Sequence, residues 1–234
     1  MTNLWNSLTR TARAFGPSPL VTWLSAQGTI ELSGTTYFNG VSKAANFFVD
    51  GLMLDSESAV CVDLENHWQS PVWLAAVVAS GSHIADRDSA SVVVTFLDQI
   101  PSDRGNTTYV AISRHPFGVP DTDVPFDVVN GSLEVRNFGD YFPGPDSQDA
   151  VIYSGVDSQI ATEDGQRAVD ALFTEHHVSL GQRVALSGIG TLEQRIAWHF
   201  MAVVLGECSL VLGEAVHADS TALSAEKIDV SIAL

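Results

Sequence analysis

The sequence has little positive charge. Its 234 residues include 11 Lys and Arg against 28 Asp and Glu, which gives a formal net charge of −17. A chain this acidic repels nucleic-acid phosphates and anionic lipid, and the few basic residues are scattered rather than clustered. The charge therefore predicts that the protein binds neither nucleic acid nor a membrane surface.

Cysteine and long apolar runs are also scarce. Cys61 and Cys208 each lie within a short apolar run, and two isolated cysteines give neither a disulfide framework nor a C-x-x-C spacing. We predict buried, reduced thiols. The N-terminus lacks the pattern of a signal peptide, and no segment approaches the roughly 18 consecutive apolar residues of a membrane helix. These absences predict a soluble cytoplasmic protein.

Hydrophobic residues make up 45% of the chain and charged residues 17%, so a substantial core is expected. Apolar spacing predicts helices over 4–15, 37–52 and 71–80, and strands over 20–23, 29–32, 59–62, 91–95 and 109–112. The Pro-rich stretch 113–149 is predicted to cross the fold with one short helix and one irregular strand. This alternation indicates an α/β fold with mostly parallel sheets flanked by helices.

The second part of the chain repeats features of the first. The first part has a strand (Val60–Val62), then a helix containing Trp73, then Gly81. The second part has the same order, in Val184–Leu186, Trp198 and Gly206. We interpret this likeness as two related halves, over 1–149 and 150–234, within one compact protein.

The segment Glu31–Ile84 carries a family resemblance. It contains a strand, an Ala-rich helix, a second strand, the turn Glu65–Trp73 and the helix end Trp73–Gly81. In this order it resembles the opening of the adenylate-forming superfamily, which includes acyl-CoA synthetases and acyl-AMP ligases. The segments Gln182–Leu186 and Leu205–Leu212 resemble a later stretch of the same N-terminal domain. The length and Pro-rich middle are also similar to short actinobacterial AMP-binding-like proteins.

The resemblance implies where ATP would bind. In the family, a loop rich in Ser, Thr and Gly with a following Lys holds the phosphates, after the strand that corresponds to Ala150–Tyr153. Here Ser154 and Gly155 follow that strand, but the Thr pair and the Lys are missing, and Asp157, Glu163 and Asp164 stand nearby. Carboxylates beside a polyphosphate cost about 1 kcal/mol per close pair in water and more when desolvated.

Other family motifs are also missing. The stretch Ser187–Leu192 replaces the family's aromatic-His signature. The sequence reaches Leu234 without the adenine-binding motif, the ribose-binding Asp or the lid domain with its catalytic Lys. The resemblance is therefore taken to predict a truncated, degenerate homologue with no catalytic residue, no metal site and no cofactor.

Candidate ligand-binding residues lie where strands of an α/β sheet end, because ligands usually bind at that edge. They fall into three groups: Asn66, His67 and Trp68; Tyr153, Ser154 and Gly155; and Gly188, Gly190 and Thr191. For the first group, the sequence favours helix capping and packing over ligand binding, and for the third group it favours a glycine-permitted turn.

Three further motifs are explained by local structure and packing rather than by phosphate binding, metal binding or acid–base catalysis. Ser33–Thr36 with Lys43 downstream spells a phosphate loop, but a helix cap accounts for it. His176 and His177 are adjacent and have no third metal ligand in view. His199 in an apolar helix is predicted to be a hydrogen-bonded core histidine.

These observations predict a non-catalytic binding or interaction protein that takes a small acyl or nucleotide-like ligand. Two alternatives stay open. One is a half-enzyme of the acyl or AMP ligase type, completed by a partner protein. The other is a structural protein that self-associates, for example as a homodimer.

Overall fold

The computed structural model describes residues 4–145, 151–155, 159–213 and 226–234. The chain forms two compact units. Unit 1 comprises Met1–Phe38, Glu65–Pro71 and Glu163–Leu234; unit 2 comprises Asn39–Leu64 and Val72–Thr162. The predicted division at residues 149 and 150 stays a prediction, and the compact units divide the chain at other points.

Unit 1 is built on a five-stranded sheet in the order β12-β10-β11-β1-β2. All its strand pairs are parallel except β1 with β2, which form the predicted hairpin around Gly28. Its elements are α1 (Leu4–Phe15), β1 (Pro19–Ser25), β2 (Gly28–Ser33), the first residues of α2 (Gly34–Asn46), α5 (Gly165–His176), β10 (Arg183–Ser187), α6 (Leu192–Arg195) with the π-helical segment Ile196–Ala202, β11 (Ser209–Leu212) and β12 (Val230–Ala233).

Unit 2 is built on a seven-stranded sheet in the order β7-β6-β5-β3-β4-β8-β9. Here too the strands are parallel except for one edge pair, β8 with β9. Its elements are the rest of α2 with the π-helical segment Phe47–Gly51, β3 (Ala59–Asp63), most of α3 (Gln69–Ala79), β4 (His83–Ala85), β5 (Val92–Phe96), β6 (Thr108–Ile112), β7 (Val129–Asn130), α4 (Gly131–Glu134), β8 (Val151–Ser154) and β9 (Gln159–Ala161).

The two sheets share a strand order. In unit 2, β4 lies on one side of β3 and β5 on the other; in unit 1, β11 lies on one side of β10 and β12 on the other. Each central strand leads through a helix into its neighbour. This common topology agrees with the likeness between the two βαβ segments, and the predicted α/β fold with mostly parallel sheets is confirmed.

Burial of the strands follows from their sequences. Every residue of β5 and of β11 is buried, as expected for strands that are covered on both faces. Helix α3 is apolar nearly all round and is buried along its whole length, as predicted. In unit 2, Phe47 and Phe48 pack edge-on against Trp73, with ring centroids 6.0 and 5.4 Å away.

The Pro-rich stretch matches its prediction over the residues that the structure describes. The short strand β7 and the short helix α4 are followed by a single 3-10 turn, Val135–Asn137. In the described part of the chain, no helix has the length and apolar character needed to cross a membrane.

Candidate functional site

The first predicted group lies at the carboxyl end of β10 in unit 1. Glu65 adopts a left-handed backbone conformation (φ 49°) and starts the turn that leads into α3. Within that turn, Asn66 Nδ2 donates a hydrogen bond of 2.8 Å to the carbonyl of Leu186. Asn66 is therefore held at the sheet edge where ligands of α/β proteins usually bind.

His67 takes part in packing at the same edge. Its ring lies edge-on to Trp23, with centroids 4.6 Å apart, and 5.6 Å from the ring of Trp68. Its Nδ1 accepts a hydrogen bond from the backbone amide of Gln69. The imidazole thus connects the end of β1 to the first residues of α3.

His199 is a fully buried histidine of unit 1, as the sequence predicted. Its Nδ1 lies 2.9 Å from Ser70 Oγ, so the π-helical segment after α6 is connected to the start of α3. Burial, with a smaller contribution from the nearby Arg195 charge, lowers the pKa of His199 to about 3. The imidazole is neutral at physiological pH and is no acid catalyst there.

Buried polar atoms of this region without a hydrogen-bond partner among the described residues include Asn66 Oδ1, Trp68 Nε1 and His199 Nε2. If the Ser70 hydroxyl donates to Nδ1, then Nε2 of His199 carries the proton and is a donor, as Trp68 Nε1 is. A buried group left unpaired costs about 1–3 kcal/mol. With this tautomer, one acceptor and two donors of unit 1 lack a hydrogen-bond partner among the described residues.

The third predicted group forms a closed turn. Gly188 and Gly190 have φ angles of +88° and +66°, and a Cβ at Gly188 would lie 2.9 Å from the carbonyl oxygen of Leu234. The amide of Thr191 donates to Gln194 Oε1, and Thr191 Oγ1 accepts from the amide of Gln194. These hydrogen bonds form a capping box, so both amides already have partners. Ligand binding by Gly188, Gly190 and Thr191 stays a prediction.

The second predicted group lies at the carboxyl end of β8 in unit 2. The Tyr153 hydroxyl donates a 2.9 Å hydrogen bond to Asp86 Oδ1, at the end of β4. A Cβ added to Gly155 would lie 2.2 Å from the Tyr153 oxygen and 3.0 Å from Asp86 Oδ2. The Tyr153 side chain thus lies over the backbone of Gly155, and the Asp86 carboxylate lies beside the same glycine. Ser154 is the residue between Tyr153 and Gly155 in the sequence.

Other acidic residues follow Gly155 in the sequence. Asp157 lies outside the described residues. Glu163 and Asp164 follow β9 in a short 3-10 turn, and the Asp164 carboxylate is paired with Arg167. The sequence has no Lys or Arg between Arg136 and Arg167.

The phosphate-loop lookalike before α2 is a helix cap, as predicted. The amide of Thr36 donates to Ser33 Oγ over 3.1 Å. Lys43 is engaged elsewhere: its Nζ donates to the carbonyl of Phe138 and forms an ion pair with Asp140.

The other singled-out residues are part of the packing. The His176 ring lies edge-on to Trp198, 5.4 Å away. Cys61 and Cys208 are buried free thiols, as predicted, and burial raises the pKa of Cys208 to about 11. Within the described ranges, no group of three His, Cys, Asp or Glu side chains is arranged to hold a metal ion.

Sequence reasoning missed Asp86 and Ser70. Asp86 directly follows β4, and the rule that strand ends carry site residues could have singled it out. Ser70 gave no signal, because its contact with His199 spans 129 residues of sequence.

The sheets and their strand order define an α/β protein with the fold of the N-terminal domain of acyl-CoA synthetases. The chain is similar in structure to acetoacetyl-CoA synthetase from Streptomyces lividans, with a TM-score of 0.66 and 15% identity, over 91% of this chain and 38% of that chain. The predicted resemblance to adenylate-forming enzymes is thereby confirmed at the level of fold.

The chain is also similar in sequence to a curated protein. A TIGR03089 family protein from Mycobacterium tuberculosis (strain ATCC 25618 / H37Rv) is 33% identical over 129 residues, which are 50% of this chain and 53% of the relative. The match thus spans about half the length of that curated relative. No protein-family profile matches the chain.

Proposed function

We propose that this chain is a non-catalytic homologue of adenylate-forming enzymes and serves as a binding protein. The observation that carries the proposal is the carboxyl end of β8, where the Tyr153 hydroxyl and the Asp86 carboxylate lie against Gly155. A triphosphate needs backbone amides, hydroxyls and a cation at such a turn. Here the neighbouring side chains supply the Asp86 carboxylate and the Tyr153 phenol, whose hydroxyl already donates a hydrogen bond to that carboxylate.

Charge around the turn argues in the same direction. The sequence between Arg136 and Arg167 contains acidic residues and no Lys or Arg. Lys43, the lysine nearest in sequence to the phosphate-loop lookalike, forms an ion pair with Asp140. A bound triphosphate would therefore meet uncompensated negative charge, at a cost of about 1 kcal/mol or more for each close pair.

The binding role is supported by buried polar atoms of unit 1, at the Asn66–Trp68 turn and on the π-helical segment Ile196–Ala202. Asn66 Oδ1, Trp68 Nε1 and His199 Nε2 are buried and have no partner in the described part of the chain. We propose that a small ligand of acyl or nucleotide-like chemistry satisfies them, because such a ligand carries both donors and acceptors.

The first experiment measures ATP–pyrophosphate exchange with a panel of carboxylic acids. We expect no exchange above background, and equilibrium titration with magnesium ATP should show no tight binding. Exchange that depends on one of the acids would overturn the proposal that the chain is non-catalytic.

A pair of variants tests the electrostatic reason. Asp86→Asn removes the carboxylate beside Gly155, whereas Asp88→Asn removes an exposed carboxylate two residues away. We expect Asp86→Asn to strengthen ATP binding by roughly fivefold over the wild type, as about 1 kcal/mol of removed repulsion implies, and Asp88→Asn to leave it unchanged. Equal affinities of wild type and Asp86→Asn would contradict this reason.

The binding role is tested by thermal denaturation with AMP, coenzyme A, acetyl-CoA and octanoyl-CoA. A ligand that binds the native state raises the unfolding midpoint. Trp68→Phe removes one donor while keeping an aromatic ring, and it should reduce the shift; Trp5→Phe on α1 is the matched control. A shift that Trp68→Phe leaves intact would place the ligand elsewhere.

A further inference from the structure

The stretch from the end of β6 through α4 in unit 2 exposes large apolar side chains. Phe126 is fully exposed (101%), Phe117 is 74% exposed, and Val119 and Leu133 are each 48% exposed. Single exposed apolar residues are ordinary, but a group of them in one short stretch marks an interaction site. We name this group, together with the acidic residues Asp123, Asp127 and Glu134, the crossing surface.

The crossing surface is held in place by hydrogen bonds. The amide of Gly118 donates to the carbonyl of His115 over 2.7 Å, and Arg136 Nη2 donates to the carbonyl of Gly118 over 2.7 Å. The second of these bonds brings the Phe117 loop next to the turn after α4. Phe117 is therefore exposed on an ordered loop.

The Phe126 loop is also held in place. Asn130 Nδ2 donates to the carbonyl of Asp121 over 2.9 Å, and the amide of Val128 donates to the carbonyl of Pro125 over 3.0 Å. Pro120 and Pro125 restrict the backbone further. A loop already fixed in its conformation loses little entropy on binding, which favours a docking role.

A groove of about 500 Å³ lies beside Phe126. Its lining includes Val124, Val129 and Glu134, so apolar and acidic groups face the same space. It runs along β7, which is an edge strand of the seven-stranded sheet. The groove is open to an occupant that carries apolar side chains.

The charge of the groove indicates which occupant fits. Among the described residues, Asp127 and Glu134 line it and no Lys or Arg does. Asp127 already pairs with Arg104 over 2.7 Å, but Asp123 is exposed and has no ion pair or hydrogen bond within the described ranges. Acidic groups thus flank the exposed ring of Phe126.

A second copy of the chain is a poor occupant. Each copy carries a formal net charge of −17, so two copies repel each other, and the acidic groups of the groove would meet further acid. A basic segment is attracted by the same field.

We infer that the crossing surface docks a basic segment of a partner protein that carries aromatic or aliphatic side chains. Phe117 and Phe126 pack against the apolar side chains of that segment, and Asp123 and Glu134 face its Lys or Arg side chains. This interaction is independent of the proposed ligand site in unit 1.

The probe is a fluorescently labelled peptide in which Lys alternates with Leu and Phe, titrated by anisotropy at physiological ionic strength. Two reference peptides replace either the Lys by Glu or the apolar residues by Ser. We expect the first peptide to bind at least roughly tenfold more tightly than either reference, because apolar and charge contacts both contribute. Similar affinity for the Ser-containing peptide would overturn the inference, since it would show attraction by net charge alone.

Variants place the peptide on the surface. Phe117→Ser with Phe126→Ser should weaken binding of the first peptide roughly tenfold, and Asp123→Asn with Glu134→Gln should weaken it severalfold. The control, Met53→Ser with Leu180→Ser, removes two exposed apolar side chains elsewhere and should leave binding unchanged. Equal binding by the aromatic variant and the control overturns the inference, as does a concentration-dependent homodimer that the aromatic variant abolishes.

Discussion

His199 is a residue whose burial in the core was predicted from the sequence and is seen in the structure. An apolar helix that contains Trp198 predicted a core histidine, and the structure buries the ring completely beside Ser70. Its role in acid stability follows from its pKa, which burial lowers to about 3. Between that value and the ordinary value of 6.5, the unfolded chain binds a proton that the native protein does not.

The first prediction concerns this window. His199 favours the folded state above pH 6.5, and that stability is lost as the pH falls from 6.5 toward about 3. Urea unfolding measures how much the free energy of unfolding decreases between pH 7.5 and pH 5. This decrease should be about 2 kcal/mol smaller in His199→Met than in the wild type.

The control for this prediction is His177→Asn. His177 is exposed and has a left-handed backbone (φ 55°), a conformation that Asn tolerates. It should retain the wild-type dependence on pH. If His199→Met loses as much stability in acid as the wild type, then His199 is not the titrating group.

Helices and strands form the next scale, and their contacts depend on small residues. Gly131 begins α4, and a Cβ there would lie 2.4 Å from Val110 Cγ1 and 2.8 Å from Ile112 Cδ1, both on β6. Helix α4 thus lies directly on the sheet, which a side chain at this position would prevent. Gly139, a few residues later, has open space around its Cα.

The two glycines make a matched pair for a second prediction. Gly131→Ala should lower the free energy of unfolding by about 1–3 kcal/mol, because β6 and α4 would have to separate. Gly139→Ala should change it by less than about 0.5 kcal/mol. Chemical denaturation checks both, and a neutral Gly131→Ala would show that α4 is free to move away from β6.

Much of the element order could be predicted from the sequence, because apolar periodicity reports which side of a helix or strand is buried. The hairpin, β3, α3 and β5 were all predicted close to their observed positions. The contacts within the candidate sites could not be predicted. The Asn66–Leu186 and Tyr153–Asp86 hydrogen bonds join residues 120 and 67 positions apart, and no local pattern encodes such pairs.

The whole molecule is dominated by its negative charge. Of its basic side chains, Arg10, Lys43, Arg87 and Arg104 are each paired with a carboxylate, and most of these pairs are partly exposed to solvent. Exposed pairs add little stability each. Repulsion among the many remaining carboxylates therefore opposes the compact state.

The third prediction follows from this excess. Raising sodium chloride from about 10 mM to about 150 mM shortens the Debye length from roughly 30 to 8 Å and screens the repulsion. The unfolding midpoint should rise over this range. A falling midpoint in calorimetry would mean that attractive ion pairs outweigh the net repulsion.

The two buried thiols can serve as reporters of how the native protein opens. Cys61 belongs to unit 2 and Cys208 to unit 1, and each is shielded in the folded chain. An alkylating reagent modifies a shielded thiol only after its surroundings unfold, either locally or globally. Mass spectrometry of timed alkylation would therefore give two rates from one sample, one for each unit, and equal rates under all conditions would mean that both units open in one cooperative event.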